Sequence, residues 1–252
     1  MDPLRSFRLD DRVVVLTGAS SGLGVGFARA LTAVGAHLVL AARRVDRLEA
    51  LAQELRETGS RVVVQRGDVS SREDCAAIAA AAVTEFDRID VLVNNAGIAS
   101  TAPATRETED AFRSVIDVNL NGAFWMAQAC IGAMPRGSSI VNVSSVLGHI
   151  GPRFPNAAYA ASKSGVLGLT RDLAQEWSER RGVRVNALCP GYFASEMTAG
   201  HGAIGEMLAT HSILPRLGEQ QELDAALIFL ASPASSYVTG TSLVVDGGLS
   251  AI

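Results

Sequence analysis

Tyr159 and Lys163 stand four residues apart in Tyr159-Ala160-Ala161-Ser162-Lys163, where a long helical segment begins. Residues at i and i+4 share one helix face, so a phenol and an ammonium can meet in one site. A free phenol titrates near about 10, too high for an efficient base at neutral pH. A neighbouring cation stabilises the phenolate and lowers that value. Such a tyrosine can pass a proton to or from a substrate oxygen while a second partner takes or gives a hydride. Alone the spacing is common by chance, and a tyrosine with an unrelated surface lysine fits it as well.

A second constellation lies near the start. The run Thr17-Gly18-Ala19-Ser20-Ser21-Gly22-Leu23-Gly24 follows a β-branched stretch and leads directly into a helical pattern. Gly18 permits a sharp turn, Gly22 lets backbone approach a phosphate, and Gly24 lets a helix pack closely on a sheet. Unpaired N–H groups of the helix N-terminus would then face a pyrophosphate. The second strand ends Leu40-Ala41-Ala42-Arg43-Arg44. An acid there would favour NAD by bonding the ribose 2′-hydroxyl, whereas an arginine accepts a 2′-phosphate. Arg43 therefore argues for NADP(H), with NAD(H) still possible. Solvated charges opening the next helix are the alternative reading of these arginines.

The elements that must position these groups alternate along the chain. Val13–Leu16, His37–Ala41, Arg61–Gln65, Ile89–Val93, Ile140–Val143, Val183–Leu188 and Ser242–Val245 read as strands, nearly all apolar, as strands covered on both faces should be. Leu23–Val34, Asp46–Thr58, Arg72–Phe86, Glu109–Ala133, Ala158–Arg180 and Glu219–Ala231 read as helices. Asp46 with Glu49 suggests a capping box, and Gly35 and Gly59 sit where helices end. The pattern predicts a single α/β domain over residues 1–252, a Rossmann fold with a doubly wound parallel seven-stranded sheet. The irregular stretch 191–218 reads as a substrate lid, with a surface excursion as its alternative.

Composition narrows the function classes. The 252 residues are 48% hydrophobic and 19% charged with net charge −4, which gives no reason to expect nucleic acid or an anionic membrane as partner. No apolar run approaches the roughly 20 residues of a membrane helix, and the start does not read as a signal peptide, so a cytoplasmic protein is expected. Cys75, Cys130 and Cys189 are odd in number and far apart, and the four histidines lack ligand spacing. Neither a disulfide framework nor a metal site is expected.

Gly18–Gly24, Asn94-Asn95-Ala96-Gly97, Asn119, Ser144-Ser145, Tyr159 with Lys163, and Pro190-Gly191 occur together in one order and spacing. That combination resembles the short-chain dehydrogenase/reductase family over essentially the whole chain, through Thr239-Gly240 and Asp246-Gly247-Gly248. The resemblance implies an NAD(P)(H)-dependent oxidoreductase interconverting a ketone and a secondary alcohol, with Asn119, Ser145, Tyr159 and Lys163 as catalytic residues. Ser145 would bond the substrate oxygen, with Ser144 as the competing candidate. Lys163 would also contact the nicotinamide ribose, and Asn119 would hold a water of a proton relay. The cofactor would rest on Gly18, Ser20, Ser21, Gly22, Leu23, Gly24, Arg43, Asp68, Val69, Asn95, Ala96, Gly97, Tyr159, Lys163, Pro190, Gly191 and Ser195.

The resemblance extends both to 3-oxoacyl-carrier-protein reductases and to sugar-acid and polyol dehydrogenases. Arg136 and Arg180 are candidates for docking an acidic carrier protein or simply surface charges; His149 could bond a polar substrate group or face water. A non-catalytic dinucleotide sensor would have no use for Ser145, Tyr159 and Lys163 together. An epimerase on the related extended fold would need a larger C-terminal domain. The family resemblance and the apolar faces of Glu109–Ala133 and Ala158–Arg180 imply a homotetramer.

Overall fold

The computed structural model describes residues 3–151, 154–193 and 210–251. Seven parallel strands form one sheet in the order β3-β2-β1-β4-β5-β6-β7. They are β1 Val13–Thr17, β2 His37–Ala42, β3 Val62–Arg66, β4 Val91–Asn94, β5 Ser139–Val143, β6 Arg184–Pro190 and β7 Ser242–Val245. Strand order reverses between β1 and β4, so a crevice opens at their C-terminal ends. The register places Leu16 opposite Val93 and Asn94 opposite Asn142.

The strands are short because each is a run of β-branched or aliphatic residues closed by a turn residue. β1, β4, β5 and β6 are buried throughout, so β1 is almost wholly apolar, while β5 and β6 bury Ser139, Asn142, Arg184 and Asn186 with hydrogen-bond partners. One apolar layer gathers Leu16, Phe27, Leu31, Leu48 and Leu227. The other gathers Val15, Ile78, Leu92, Met126 and Trp177. The helices on the two faces are α1 Leu23–Ala33, α2 Val45–Arg56, α3 Arg72–Phe86, α4 Glu109–Ile116, α5 Gly122–Cys130, α6 Ala157–Arg181 and α7 Gln220–Ala231.

Two sequence expectations are corrected. The capping box at Asp46 is absent: Arg44 is the N-cap of α2, without a side-chain cap, and Asp46 lies within the first turn. Its carboxylate there faces the helix N-terminal partial charge instead. A capping box does occur at Glu219 and Glu222, ahead of α7. The segment expected as one helix over Glu109–Ala133 is broken by a π turn, Asp117–Asn121, and ends in a 3-10 turn, Ile131–Ala133. Buried Asn119 lies within that π turn, a device found often at functional sites.

At the N-terminal ends of the strands, opposite the crevice, buried Asp90 joins the start of β1 to β4. Its carboxylate accepts from Arg12, Arg88 and the Val13 N–H at 2.5–3.0 Å. Arg136, shortly before β5, and Arg180, in the last turn of α6 ahead of β6, lie at this same end, and Arg136 bonds the Arg180 carbonyl.

Candidate active site

The glycine loop is closed by its neighbours before any ligand is considered. The Thr17 hydroxyl accepts from the N–H groups of Asn95 and Ala96 at 3.0 and 3.1 Å. The Asn95 amide in turn donates to the Thr17 and Gly18 carbonyls. Gly18 has φ +66°, and a Cβ there would lie 2.7 Å from the Ala96 Cα; one on Gly24 would lie 2.3 Å from the Gly18 carbonyl oxygen. Only glycine fits either position. Gly22 is the N-cap of α1 and offers no side chain to its first turn; the Val25 N–H bonds the Gly22 carbonyl at 3.2 Å, and the Leu23 and Gly24 N–H groups are placed to face a ligand.

Along the crevice a cavity of about 790 Å³ runs from this loop to the start of α6. Its lining includes every sequence-expected cofactor residue except Ser195, which lies outside the described residues. At the adenosine end, Arg44 reaches back over the loop: Nε and Nη2 bond the hydroxyls of Ser20 and Ser21 at 3.3 and 2.5 Å. Arg43 instead faces Asp68 at 3.7 Å. Burial alone would raise the Asp68 carboxyl, but hydrogen bonds from the Ser70 N–H and hydroxyl, with Arg43 and Arg66 nearby, hold it below its ordinary value. The sequence offered two adjacent arginines; one reaches the glycine-loop serines and the other faces Asp68.

The catalytic end is built by α6 packing against a 3-10 turn, Val146–Gly148. The Ser144 hydroxyl donates to the Lys163 carbonyl at 2.9 Å, and the Ser164 hydroxyl donates to the Gly148 carbonyl at 3.0 Å. The two adjacent serines therefore differ in their partners. Ser144 ties the end of β5 to α6, while Ser145 acts on the Tyr159 phenol, holding its pKa down, and its hydroxyl accepts from the Leu147 N–H at 3.1 Å.

Burial pushes the Tyr159 phenol up; the bond with Ser145 opposes this and Tyr192 adds to it. The environment therefore favours the neutral phenol over the phenolate. Lys163 is 4% exposed and donates to the Val143 carbonyl at 2.8 Å. Burial lowers its ammonium to about 8, with Cys189 acting in the other direction. Its Nζ lies 5.5 Å from the Tyr159 ring centroid. The shared helix face thus brings the pair together, as their spacing predicts, yet burial raises the phenol above the value expected from a nearby cation.

Asn119 clamps the segment after β4. Its Oδ1 accepts from the Ile98 N–H at 2.8 Å, and its Nδ2 donates to the Ile98 carbonyl and the Ser162 hydroxyl. Gly97 fills the space between: a Cβ there would meet Asn119 Oδ1 at 3.4 Å and Lys163 Nζ at 3.6 Å.

Three contributors escaped the sequence reading of the site. Thr17 stands at the head of the glycine run but its hydroxyl role was not read there, and Ile98 acts through backbone groups, which carry no motif. Asn156 precedes Tyr159 by three residues and lines the cavity; that spacing was its only available signal. His149 does not line the cavity, whereas Phe154, Tyr192 and Phe193 do.

The chemistry of the donor set fits a dinucleotide. Backbone N–H groups and guanidiniums lie at one end, and a buried phenol, hydroxyl and ammonium at the other. A family model described as enoyl-(acyl carrier protein) reductase matches residues 18–250. Galactitol 2-dehydrogenase (L-tagatose-forming) of Cereibacter sphaeroides is 46% identical, over 98% of each chain. The 3-oxoacyl-[acyl-carrier-protein] reductase of Thermotoga maritima is 38% identical, over 96% of this chain and 99% of that one. The crystal structure of a gluconate 5-dehydrogenase from Burkholderia cenocepacia, in complex with NADP and tartrate, superposes with TM-score 0.92 at 35% identity and 99% coverage of both chains. Glycine loop, crevice, serine–tyrosine–lysine centre and these likenesses agree: the chain belongs to the short-chain dehydrogenase/reductase family, oxidoreductases that interconvert alcohols and ketones with a nicotinamide dinucleotide.

Proposed function

We propose that this chain transfers hydride between NADP(H) and a small ketone or secondary alcohol, with Tyr159 as the group that gives or takes the proton. The observation that carries the reading is the convergence of the Tyr159 phenol, the Ser145 hydroxyl and the Lys163 ammonium at one end of the cavity whose other end is the glycine loop. A bound nicotinamide would supply or accept the hydride. The protein's own part is to orient the carbonyl, stabilise charge on its oxygen through Ser145, and move the proton through Tyr159. Lys163 supports the phenolate when it forms, and Asn119 fixes the neighbouring backbone, with a relay water as its further role.

The dinucleotide would lie on Gly18, Ser20, Ser21, Gly22, Leu23 and Gly24, with Asp68 and Val69 beside the adenine, and Asn95, Ala96 and Gly97 beneath. Pro190, Gly191 and Ser195 would border the nicotinamide. NADP(H) is favoured because Arg44, tied to Ser20 and Ser21, stands with Arg43 where a 2′-phosphate would lie.

For substrate, a polyol or its ketose is favoured over an acyl carrier thioester. The relative named for galactitol is the more similar of the two dehydrogenase classes. Arg136 and Arg180 are at the end of the strands opposite the crevice, away from this cavity. Residues 191–218 would act as the lid. Its described ends are held together by a bridge between Phe193 and Gly218 and a 2.9 Å bond from Gly218 to Tyr192. Assay of ketones and alcohols with all four nicotinamide forms tests the reading. Turnover with NADPH or NADP supports it, and absence of turnover with every form contradicts it.

A further inference from the structure

Tyr192 follows the exit of β6, and its backbone is held on both sides. The Gly191 N–H donates to the Val245 carbonyl at 2.8 Å, and a Cβ on Gly191 would lie 2.7 Å from the Asp246 Cα. Only glycine lets the chain pass so close to the end of β7. On the other side the Gly218 N–H donates to the Tyr192 carbonyl at 2.9 Å, and buried Phe193 pairs with Gly218. These ties fix Tyr192 where its half-buried side chain lines the catalytic cavity.

The Tyr192 hydroxyl makes no hydrogen bond, and burial alone pushes its phenol up, which favours the neutral, hydrogen-donating form. It is not sealed in the protein either. Among the described residues, the enclosed side-chain atoms without a partner are Asn94 Oδ1, Glu107 Oε2 and Asn156 Oδ1. Its direction follows from its effect on the reaction centre: charge on the Tyr192 phenol raises the Tyr159 phenol, so the two hydroxyls face one space. A phenol open to the cavity, without a partner, is left to bond a group that arrives. The charged lining residues are Arg43, Arg44, Asp68 and Lys163. The first three belong to the adenosine end, and the Lys163 ammonium is bonded to Val143.

Resting on the reaction proposed above, we infer that Tyr192 is a specificity-determining residue whose hydroxyl bonds a second substrate oxygen, on the carbon next to the reacting one, so that the enzyme selects α-hydroxy ketones and vicinal diols. The reacting oxygen lies between Ser145 and Tyr159. In an α-hydroxy ketone the next oxygen sits a hydrogen-bond length from the first, and so can meet the second phenol while the first stays on Tyr159. A plain ketone leaves the Tyr192 hydroxyl without a partner in a closed complex. Sites built to bond a hydroxyl discriminate against analogues that lack it.

The test compares kcat/KM with NADPH for 1-hydroxybutan-2-one and butan-2-one, in wild type and Tyr192→Phe. The two ketones differ by one hydroxyl, and the substitution keeps the ring and removes one oxygen. Ratios within one variant cancel differences in active fraction, so partial misfolding does not obscure the result. Wild type is expected to prefer the hydroxy ketone by at least about tenfold. In Tyr192→Phe that preference should shrink by about 5- to 10-fold, with butan-2-one turned over much as in wild type. A preference unchanged within about twofold overturns the inference, as does wild-type preference for butan-2-one. Equal loss on both ketones in the variant also overturns it, because the hydroxyl would then serve the reaction rather than the choice of substrate. Absence of wild-type turnover on both ketones would instead bring down the underlying reaction together with it.

Discussion

At the residue scale, the site separates groups that touch chemistry from groups that hold them. Ser145 and Ser144 are adjacent and chemically identical, and the difference lies in where α6 places its carbonyls. No sequence spacing carries that information. Arg44 likewise is distinguished from Arg43 only by its bonds to Ser20 and Ser21. Arg44→Ala is expected to raise KM for NADPH about 10- to 100-fold, as befits loss of one charge-assisted contact, while KM for NADH changes less than about threefold. Equal changes for both cofactors would remove the arginine from 2′-phosphate recognition. The raised phenol also sets a pH rule. Reduction needs Tyr159 protonated and oxidation needs it deprotonated, so alkaline pH should slow the first and accelerate the second. Parallel pH profiles in the two directions would argue against Tyr159 as the proton carrier.

At the element scale, strand positions and the glycine loop were legible because apolar runs and glycine steps report directly on burial and backbone shape. The π turn at Asp117–Asn121 was not, because an asparagine inside a helical pattern signals neither its own bonding partners nor an extra residue per turn. The false capping box at Asp46 has a similar origin: the acidic pair has the right spacing but begins two residues past the true N-cap, Arg44. Asn119 bridges the π turn to the Ile98 backbone and to Ser162 on α6. Asn119→Ala strands the Ile98 N–H and carbonyl, partly buried, and should cost roughly 2–3 kcal/mol. Urea unfolding measures it; a change below about 0.5 kcal/mol would mean that these bonds are replaceable by water.

Across the whole molecule, the alternation of elements specified the fold, and seven strands emerged in the expected doubly wound order. Assembly is a separate matter. Strand β7 closes the sheet with all four residues half-buried, and Phe112 of α4 is exposed. We propose that both are covered in a homotetramer; a monomeric sedimentation profile at micromolar protein would contradict this. Stability at high pH follows from buried thiols. Burial raises Cys75 and Cys189 from an ordinary 9 to about 11 and shifts Cys130 in the same direction. Acids raised on folding stabilise fully below the unfolded value, and that contribution disappears as pH climbs from 9 through 11. Lys163 opposes them: the unfolded chain keeps its proton to 10.5 and the folded chain releases it at about 8, so its contribution rises with pH between those values. The thiols outnumber it, so the urea midpoint should fall between pH 9 and 11, and fall less steeply in Cys75→Val.

The central claim is that Tyr159 couples proton transfer to hydride transfer, and Tyr159→Phe tests it most directly. The substitution keeps the ring against Lys163 and removes only the hydroxyl that meets Ser145. With NADPH and a ketone turned over by the wild type, kcat should fall at least about 10³-fold, while NADPH still binds with affinity within about threefold. Undiminished turnover in that variant would contradict the account.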